Sequence, residues 1–384
     1  MEELFRPSIA EIDLDALRHN YLALRSFVKG SELMPILKAN AYGHGLIACA
    51  KELEVLKPWG FGVAFLEEAV ALRKAGIGLP VFSLGGVSGR QLADFLKYDI
   101  DICASSVMKL ETIDAAAKSL GKKARVHLKI DTGMERIGIH YYSCEKLLES
   151  SLKHNNIEVV SLFSHFADAE NEDLSFSRIQ LERFLEAVSF YDKKSLPKPK
   201  LHIANSPAIL GFAESHLNVV RPGLSLFGVS PAPHLSNVLD LKPVLRLKTE
   251  VVYFKVVKEG SSVSYGRTWT AKEQTRVATI PVGYGDGYPR ELSNKARAII
   301  RGKAYPIVGK VCMDQFMLNL GPNGEAYNGD EVVIVGEQGQ EKITIEELAK
   351  LANTDPRDIL LRLALRIPKR FKKDGKEFIV GVNY

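Results

Sequence analysis

One lysine, Lys38, stands where a short apolar run gives way to a polar loop. The run is Met34–Leu37, and the loop Ala39–Gly45 contains a tyrosine, a histidine and two glycines. Such a run is typical of an interior strand, and loops of this kind commonly carry functional groups. A lysine amine held partly out of water has a lowered pKa, so near neutral pH it can act as a Schiff-base nucleophile or as a base. An ordinary lysine at a strand end would instead extend its charge into solvent.

The stretch Leu37–Gly45 resembles the cofactor-lysine segment of the alanine racemases, which are pyridoxal-phosphate (PLP) enzymes of fold-type III. The resemblance covers essentially the whole chain. It implies PLP as the cofactor and Lys38 as the residue that binds it. Racemisation removes an α-proton from one face of an amino acid and returns one on the other, so it needs two bases and an electron sink. The resemblance implies that Lys38 is the first of these bases.

The second base is expected in Ser264–Thr268, which resembles the catalytic tyrosine segment of the family. A free phenol has a pKa near 10, so Tyr265 needs help to act as a base. The resemblance implies that His165 supplies it through a hydrogen bond. In this family the tyrosine reaches the cofactor of the other subunit, which implies a homodimer with shared active sites.

Further cofactor contacts are implied by the same resemblance. Arg221, in Val219–Leu224, is expected to face the ring nitrogen of PLP. A guanidinium donates a hydrogen bond to that nitrogen without protonating it, which keeps the ring a weaker electron sink and limits side reactions. The residues expected around the phosphate are Tyr42, Asn205, Ser206, Gly223 and Leu224.

Substrate recognition is expected in Lys129–Gly138 and Val311–Gln315, both of which match segments of the family. The resemblance implies that Arg136 bridges the PLP phenolate oxygen and the substrate carboxylate, a planar task that suits a guanidinium. Met313 would contribute its backbone amide. Tyr284, together with the catalytic tyrosine, would narrow the pocket to a methyl-sized side chain.

The sequence leaves open the state of Lys129 and the contacts of Arg357. Lys129 occupies a position that is carbamylated in many members of the family, which turns a cation into an anion that orients Arg136. Near the C-terminus the family usually has a Pro-Tyr-Glu segment whose tyrosine contacts the PLP phosphate, whereas this chain has Pro356, Arg357 and Asp358. Arg357 would either meet the phosphate with a longer, charged side chain or face solvent.

The elements that must position these residues fall into two parts. Residues 1–235 alternate short apolar runs with amphipathic segments, which predicts an α/β domain, a parallel (β/α)8 barrel with working residues at the C-terminal strand ends. One amphipathic segment, Leu66–Gly76, is predicted to be a helix that ends at glycine. The strand candidates are Met34–Lys38, Phe61–Phe65, Pro80–Leu84, Tyr98–Ile102, Arg125–Asp131, Glu158–Ser164, Lys200–Ala204 and Asn218–Leu226.

Residues 236–384 predict a mostly β C-terminal domain that supplies Tyr265 to the partner subunit. A helix is expected near Thr344–Leu351, where the sequence fits a capping box. The strand candidates are Val251–Val257, Val263–Tyr265, Val277–Val282, Ala298–Ile300, Lys310–Leu320 and Val332–Val335.

Composition excludes several classes of function. The chain has 384 residues and a formal net charge of +5, with no basic block that indicates nucleic acid. It has no apolar run long enough for a membrane span and no secretory signal at its start. Its four cysteines are scattered, which favours neither a disulfide framework nor a metal site, and the cytoplasm is the expected compartment.

The predicted function is PLP-dependent, two-base interconversion of L-alanine and D-alanine, which supplies D-alanine for peptidoglycan. A racemase of broader specificity is the alternative within the same class, because few residues set the width of the pocket. Decarboxylases of the same fold type are another rival, but Lys129–Gly138 and Val311–Gln315 favour a racemase. A non-catalytic PLP-binding protein is the alternative from another class, and the presence of Tyr265 in a full β domain disfavours it.

Overall fold

The computed structural model describes residues 6–363 and 366–379. The N-terminal part contains a parallel sheet with helices, and the C-terminal part is mostly β. The predicted domain limits at residues 1 and 384 lie outside the described residues. Within the described ranges, no helix combines the length and the apolar character needed to cross a membrane.

The N-terminal sheet is curled and parallel, and helices connect most of its neighbouring strands. A short strand, Ile139–His140, pairs with the end of one of them. In spatial order the strands of the main path are Phe61–Val63, Val81–Ser83, Asp101–Ala104, Ala124–Asp131, Ile157–Phe163 and Lys200–His202.

Glu32–Leu33 and Val219–Val220 form a separate parallel pair. The residues that follow these two strands hydrogen-bond to opposite edges of the main sheet. On one side the amide of Leu37 donates to the carbonyl of Gly62 at 2.8 Å. On the other side the amide of Arg221 donates to the carbonyl of Ala204 at 3.0 Å. The segments that contain Glu32–Leu33 and Val219–Val220 therefore lie between the edge strands Phe61–Val63 and Lys200–His202.

This pair is shorter than the sequence predicted. The predicted strand Met34–Lys38 was wrong in position, because the strand is Glu32–Leu33 and only Ile36 of the predicted range forms an isolated bridge. Of the predicted strand Asn218–Leu226, only Val219–Val220 is strand. Pro35 and Pro222 lack the backbone N–H that a regular ladder requires. Their carbonyls still accept hydrogen bonds, from the amides of Gly62 and Ile36 respectively, at 2.9 Å each.

Helices cover the outer face of the sheet, and side chains fill its inner face. On Val81–Ser83, for example, Val81 packs into the large core whereas Phe82 packs with Cys103 and Phe163 in a second, inner cluster. Burial on both faces is typical of parallel sheets covered by helices. The α-helices of the N-terminal part are Leu14–Phe27, Leu46–Glu54, Leu66–Lys74, Leu92–Lys97, Val107–Ser119, Glu145–Ser151, Ser175–Lys193 and Ser206–Gly211. The helix predicted over Leu66–Gly76 is thus confirmed.

The C-terminal part is built on a mixed sheet that includes the first strand of the chain. Ile9–Asp13 pairs antiparallel with Leu245–Glu250 and parallel with Lys369–Lys373. No strand was expected before residue 34, since its partners lie more than 230 residues away. In spatial order the sheet is Lys303–Pro306, Arg297–Ile300, Glu331–Gln338, Leu245–Glu250, Ile9–Asp13, Lys369–Lys373 and Lys376–Ile379, with Glu341–Ile343 paired to Glu331–Gln338.

Two smaller sheets and two helices complete the C-terminal part. The predicted helix near Thr344 is confirmed as Ile345–Ala352, and the Thr344 hydroxyl accepts a hydrogen bond from the amide of Glu347 at its start. A second helix, Pro356–Arg362, follows it. The smaller sheets contain Tyr253–Val257, Thr275–Ile280 and Phe316–Gly321 in one and Ser262–Val263 with Trp269–Thr270 in the other.

Candidate active site

The C-terminal strand ends of the N-terminal sheet surround a cavity of about 360 Å³, here called the main cavity. Side chains from separate strand ends converge there, as expected for a sheet of this type. Its lining includes the predicted site residues Lys38, Tyr42, Lys129, Arg136, His165, Asn205, Ser206, Arg221, Gly223, Leu224 and Arg357.

Lys38 enters the main cavity from an unusual backbone segment. The residues that follow it, Ala39, Asn40, Ala41 and Tyr42, all have φ between 52° and 55°, so they form a left-handed helical turn without glycine. This conformation costs L-residues roughly 1–2 kcal/mol each. Such strain persists only where the surroundings enforce it, and it is concentrated at functional sites.

Side chains from two directions hold this turn. The carboxylate of Glu68 accepts hydrogen bonds from the amides of Ala39 at 2.5 Å and Ala64 at 2.8 Å. The side-chain oxygen of Asn40 accepts from the amide of Leu46 at 2.8 Å. These contacts fix the position of Lys38 relative to the neighbouring strand.

The main cavity favours the uncharged form of the Lys38 amine. Partial burial in the main cavity lowers its pKa, and the positive charges of Arg136 and Arg357 lower it further. A lysine with a lowered pKa is more often an uncharged base or nucleophile. The main cavity therefore provides the amine that the sequence analysis expected.

The guanidinium of Arg221 lies buried at the base of the main cavity. Its Nη1 donates to Nδ1 of His202 at 2.5 Å, and its Nη2 donates to Nδ1 of His165 at 3.1 Å. Nη2 also donates to the carbonyls of Ser164 and Ile203. Burial lowers the pKa of Arg221 to about 9, so the group remains a cation at neutral pH.

His165 is a neutral imidazole whose tautomer is set by Arg221. Burial and the charge of Arg221 hold the pKa of His165 well below its usual range. Because Nδ1 accepts from the guanidinium, the ring proton lies on Nε2. His165 can therefore donate a hydrogen bond to a phenolic oxygen in the main cavity.

A cradle of small residues lies beside the start of the Ser206–Gly211 helix. The hydroxyl oxygen of Ser206 accepts hydrogen bonds from the amides of Gly223 at 2.9 Å and Ser225 at 3.3 Å. A Cβ on Gly223 would lie 2.4 Å from the hydroxyl oxygen of Tyr42, so glycine is required for this approach. Asn205 caps the helix, and Leu224 begins the next turn. Burial raises the pKa of Tyr42 to about 12, which keeps its hydroxyl protonated.

Lys129 lies buried at the inner wall of the main cavity. Within the described residues its Nζ has no hydrogen-bond partner, and it lies 4.8 Å from the centre of the Phe163 ring. Burial, followed by the charge of Arg221, lowers its pKa to about 7. The uncharged form of this amine is therefore accessible near neutral pH, unlike that of an ordinary lysine.

Arg136 is carried by a loop that Asp131 organises. The Asp131 carboxylate accepts hydrogen bonds from the amides of Gly133, Met134 and Glu135 and, at 3.2 Å, of Arg136. Although burial opposes ionisation, these bonds lower the pKa of Asp131. The loop therefore presents Arg136 to the cavity from a fixed backbone.

The remaining predicted residues lie apart from the main cavity. Tyr265 and Met313 line a separate, open depression, here called the outer depression, and their side chains are 69% and 54% exposed. Tyr284 is 44% exposed, and its amide donates to the carbonyl of Cys312 at 3.0 Å. Within one chain the structure brings Lys38 and Arg221 together but not Lys38 and Tyr265.

The backbone around Tyr265 directs it outward. Ser264 has φ of 67°, and its hydroxyl donates to the carbonyl of Lys310 at 2.6 Å. A Cβ on Gly309 would lie 2.6 Å from the Cβ of Ser264, so the segment packs without room for a larger neighbour. The expected strand Val263–Tyr265 accordingly ends at Val263.

Arg357 reaches the main cavity while its guanidinium is paired with a neighbour. Its Nε and Nη2 donate to the two carboxylate oxygens of Asp355 at 2.7 and 2.6 Å, and Glu170 lies 4.0 Å away. The hydrogen bonds from Arg357 lower the pKa of Asp355. The cation is thus held at the rim of the cavity, within reach of an anion there.

Sequence reasoning missed three contributors to this site. Glu68 holds the left-handed turn, His202 supports Arg221, and the Gly85–Gly86 loop lines the main cavity. A polar residue within the apolar run Leu201–Ala204 was the available signal for His202. The Gly85–Gly86 loop has no side chain that could indicate its place in the site.

Two family models match the chain. The model described as "Alanine racemase, N-terminal domain" covers residues 12–231, and "Alanine racemase, C-terminal domain" covers residues 244–371. The chain belongs to the alanine racemase family. It is therefore an isomerase acting on amino acids, and its cofactor is PLP. The main cavity fits that cofactor, because it offers the Lys38 amine, the Arg221 cation and a cradle that a side chain at Gly223 would fill.

Individual relatives agree with this assignment. The chain is 38% identical over 382 residues to alanine racemase 2 of Caldanaerobacter subterraneus subsp. tengcongensis, covering 99% of this chain and 98% of the relative. The crystal structure of the Bacillus anthracis alanine racemase with bound L-Ala-P matches with a TM-score of 0.89 at 33% identity, covering 98% and 97% of the two chains. A histidine racemase from Leuconostoc mesenteroides subsp. sake matches with a TM-score of 0.86 at 28% identity, covering 97% and 99%.

Proposed function

We propose that the chain interconverts L-alanine and D-alanine with two bases, Lys38 and Tyr265 of the partner subunit, as the family does to supply D-alanine for peptidoglycan. When bound, PLP accepts the electrons of the substrate Cα–H bond. The observation that carries the proposal is the Lys38 amine, whose pKa is lowered in a cavity lined by Arg136 and Arg221. Lys38 would hold the cofactor and move a proton at its Nζ on one face of the substrate.

The second face needs a base that the main cavity of one chain does not provide. Tyr265 and Met313 lie on an exposed surface, and an exposed tyrosine beside an exposed methionine is characteristic of an interface. A two-fold homodimer would insert Tyr265 into the main cavity of the partner subunit. The neutral His165 would then donate from Nε2 to the phenolate and stabilise it.

The residues of the main cavity suggest where each part of PLP binds. Arg221 would face the ring nitrogen, and the cradle would take the phosphate. The residues proposed for the phosphate are Tyr42, Asn205, Ser206, Gly223, Leu224 and Arg357. The protonated Tyr42 hydroxyl is a donor, as a phosphate requires.

Arg136 is proposed to bridge the PLP phenolate oxygen and the substrate carboxylate, and Lys129 is proposed to orient Arg136. An uncharged Lys129 amine can attack CO2, forming an N–C bond and releasing one proton, which yields a carbamate anion. That anion would offset the charge of Arg221 and orient Arg136. Its support is the buried Nζ with a pKa of about 7 and no hydrogen-bond partner among the described residues.

Closure of the barrel, the limits of the two domains and the cellular location are also proposed. The hydrogen bonds of Leu37 and Arg221 to opposite edges of the N-terminal sheet support a closed (β/α)8 barrel. Two domains, residues 1–235 and 236–384, are also proposed. Ile9–Asp13 is the exception, because this strand pairs within the C-terminal sheet. A cytoplasmic location is supported by four cysteines that are all free thiols.

An alanine racemase and a racemase of broader specificity differ in the size of the substrate side chain that the pocket accepts. Tyr265 and Tyr284, contributed across the dimer, would restrict the pocket to a methyl group. The similarity to a histidine racemase favours testing a broader specificity. Incubating the purified holoenzyme separately with L-alanine, L-serine, L-lysine and L-histidine, followed by chiral chromatography, tests both ideas. Conversion of alanine alone supports the proposal, equal conversion of several supports the broad racemase, and no conversion supports a PLP-binding carrier.

A further inference from the structure

A row of buried polar side chains extends from Arg221 through the interior of the sheet. Its members, here called the relay, are Asp101, His127, Ser161, His202 and Arg221, and each is at most 3% exposed. They lie on five separate segments of the chain, so their alignment is a property of the fold. Buried polar groups of this kind are retained only when hydrogen bonds satisfy them.

Every link of the relay has hydrogen-bond geometry. Arg221 Nη1 lies 2.5 Å from His202 Nδ1, and His202 Nε2 lies 2.8 Å from the Ser161 hydroxyl oxygen. That oxygen lies 2.6 Å from His127 Nδ1. His127 Nε2 lies 3.1 Å from a carboxylate oxygen of Asp101. The row is therefore continuous from the base of the main cavity to Asp101.

The two ends of the relay allow only one direction of donation. A guanidinium can only donate, and an ionised carboxylate can only accept. Although burial opposes ionisation of Asp101, the hydrogen bonds from His127 and Arg125 lower its pKa. Burial lowers the pKa of both histidines, so each carries one ring proton. Arg221 therefore donates to His202, His202 to Ser161, Ser161 to His127, and His127 to Asp101.

Aromatic packing keeps this row in one geometry. The His127 ring stacks on Phe82 at 3.8 Å, and the His202 ring stacks on Phe163 at 5.0 Å. The edge of Trp59 lies against both imidazoles. Because apolar rings surround the row, water has little access to compete for its hydrogen bonds.

We propose that Asp101, His127 and Ser161 are positioning residues that act through His202 on Arg221. The negative end at Asp101 holds both imidazoles in the Nε2–H tautomer, so Nδ1 of His202 always faces Arg221 as an acceptor. If His202 carried its proton on Nδ1, two donors would meet at 2.5 Å and Arg221 would move. The consequence for catalysis rests on the proposed role of Arg221 toward the PLP ring nitrogen.

Two substitutions interrupt the relay in different ways. Ser161→Ala removes the central hydroxyl with little change in volume, which leaves His202 Nε2–H without its acceptor. Asp101→Asn replaces two acceptor oxygens by one acceptor and one donor, although both His127 and Arg125 must donate to this group. Ser83→Ala is the matched control, since Ser83 is a buried strand serine that donates only to the carbonyl of Ala64 among the described residues.

The test uses two nuclear magnetic resonance signals and one rate from the PLP-loaded enzyme. Protein labelled with ¹⁵N-histidine reports the tautomers of His127 and His202, and PLP labelled with ¹⁵N in the ring reports the contact with Arg221. In the wild type both histidines should be Nε2–H tautomers. Ser161→Ala and Asp101→Asn should shift the His202 and ring-nitrogen signals and lower kcat by about tenfold. Ser83→Ala should match the wild type in all three.

The proposal is overturned by a wild-type His202 that carries its proton on Nδ1. It is also overturned if both relay variants keep the wild-type ring-nitrogen signal and kcat. If Ser161→Ala does not fold, the same signals from Asp101→Asn decide. A wild type with the expected tautomers but no racemase activity would instead refute the proposed function and leave the relay intact.

Discussion

Nδ1 of His165 lies 3.1 Å from Nη2 of Arg221, and both residues line the main cavity. The guanidinium supplies the proton to that contact, so the imidazole keeps its own proton on Nε2. The same arginine donates to His202 on its other side. One cation thus contacts two histidines, of which His165 lines the main cavity.

Replacing His165 by leucine should make the proton transfer that depends on Tyr265 of the partner subunit require a higher pH. A neutral Nε2–H donor stabilises a phenolate, and leucine has none. We expect the acid limb of the pH profile of kcat/KM to move to higher pH in the direction that uses the tyrosine. His19→Leu, on the first helix, should leave the profile unchanged. An unshifted profile in His165→Leu would show that the imidazole does not support the tyrosine.

Tyr265→Phe should affect the two faces of the substrate unequally. Removing one of two bases stops proton exchange for the enantiomer that this base deprotonates, by about 100-fold or more, and spares exchange for the other. Deuterium incorporation from heavy water into L-alanine and D-alanine measures each face separately. Tyr253→Phe, at an exposed tyrosine of another sheet, is the control. Small and equal losses for both enantiomers would mean that Tyr265 only packs.

Lys129 should form a carbamate whose amount rises with pH. Only the uncharged amine reacts with CO2, and its pKa of about 7 places the change in the neutral range. In ¹³C-bicarbonate, a protein carbamate resonance should grow between about pH 6 and about pH 8. Lys129→Gln should abolish that resonance. Its persistence in Lys129→Gln would assign the signal to another amine.

Arg357→Ala should weaken PLP binding. A charge-assisted hydrogen bond to the phosphate contributes about 1.5–3 kcal/mol, which corresponds to roughly tenfold or more in affinity. Arg357→Tyr should restore much of that affinity. Arg362→Ala is the matched control, because Arg362 lies on the same helix and pairs with Asp358 instead. Cofactor titration of the apoenzymes measures the effect, and wild-type affinity in Arg357→Ala would leave the phosphate to Tyr42, Ser206 and backbone amides.

Local motifs made the family and the main features of the fold predictable. Lys38 could be identified because the residues of its motif, Leu37–Gly45, are consecutive in the sequence. The helix start at Thr344 could be identified for the same reason. The turn after Lys38 was not predictable, since Ala39, Ala41 and Tyr42 disfavour a left-handed backbone in isolation. A contact from Glu68, which is distant in sequence, helps to hold it.

Pairings between distant segments were also beyond sequence reasoning. On its own, Ile9–Asp13 shows only a short alternation of apolar and polar residues. It is a sheet strand because it pairs with Leu245–Glu250 and Lys369–Lys373. Asp101 and His202 are likewise single polar residues within apolar runs. Their joint role emerges only when five segments are brought together in space.

We predict that one active site combines Lys38 of one subunit with Tyr265 of the other. Lys38→Ala and Tyr265→Phe should each be inactive or nearly so in racemisation as homodimers. After denaturation and joint refolding, mixed dimers contain one intact site, so activity should return to about one quarter of the wild type. Subunit exchange is verified with distinct affinity tags. No recovery in verified mixed dimers would contradict the shared site.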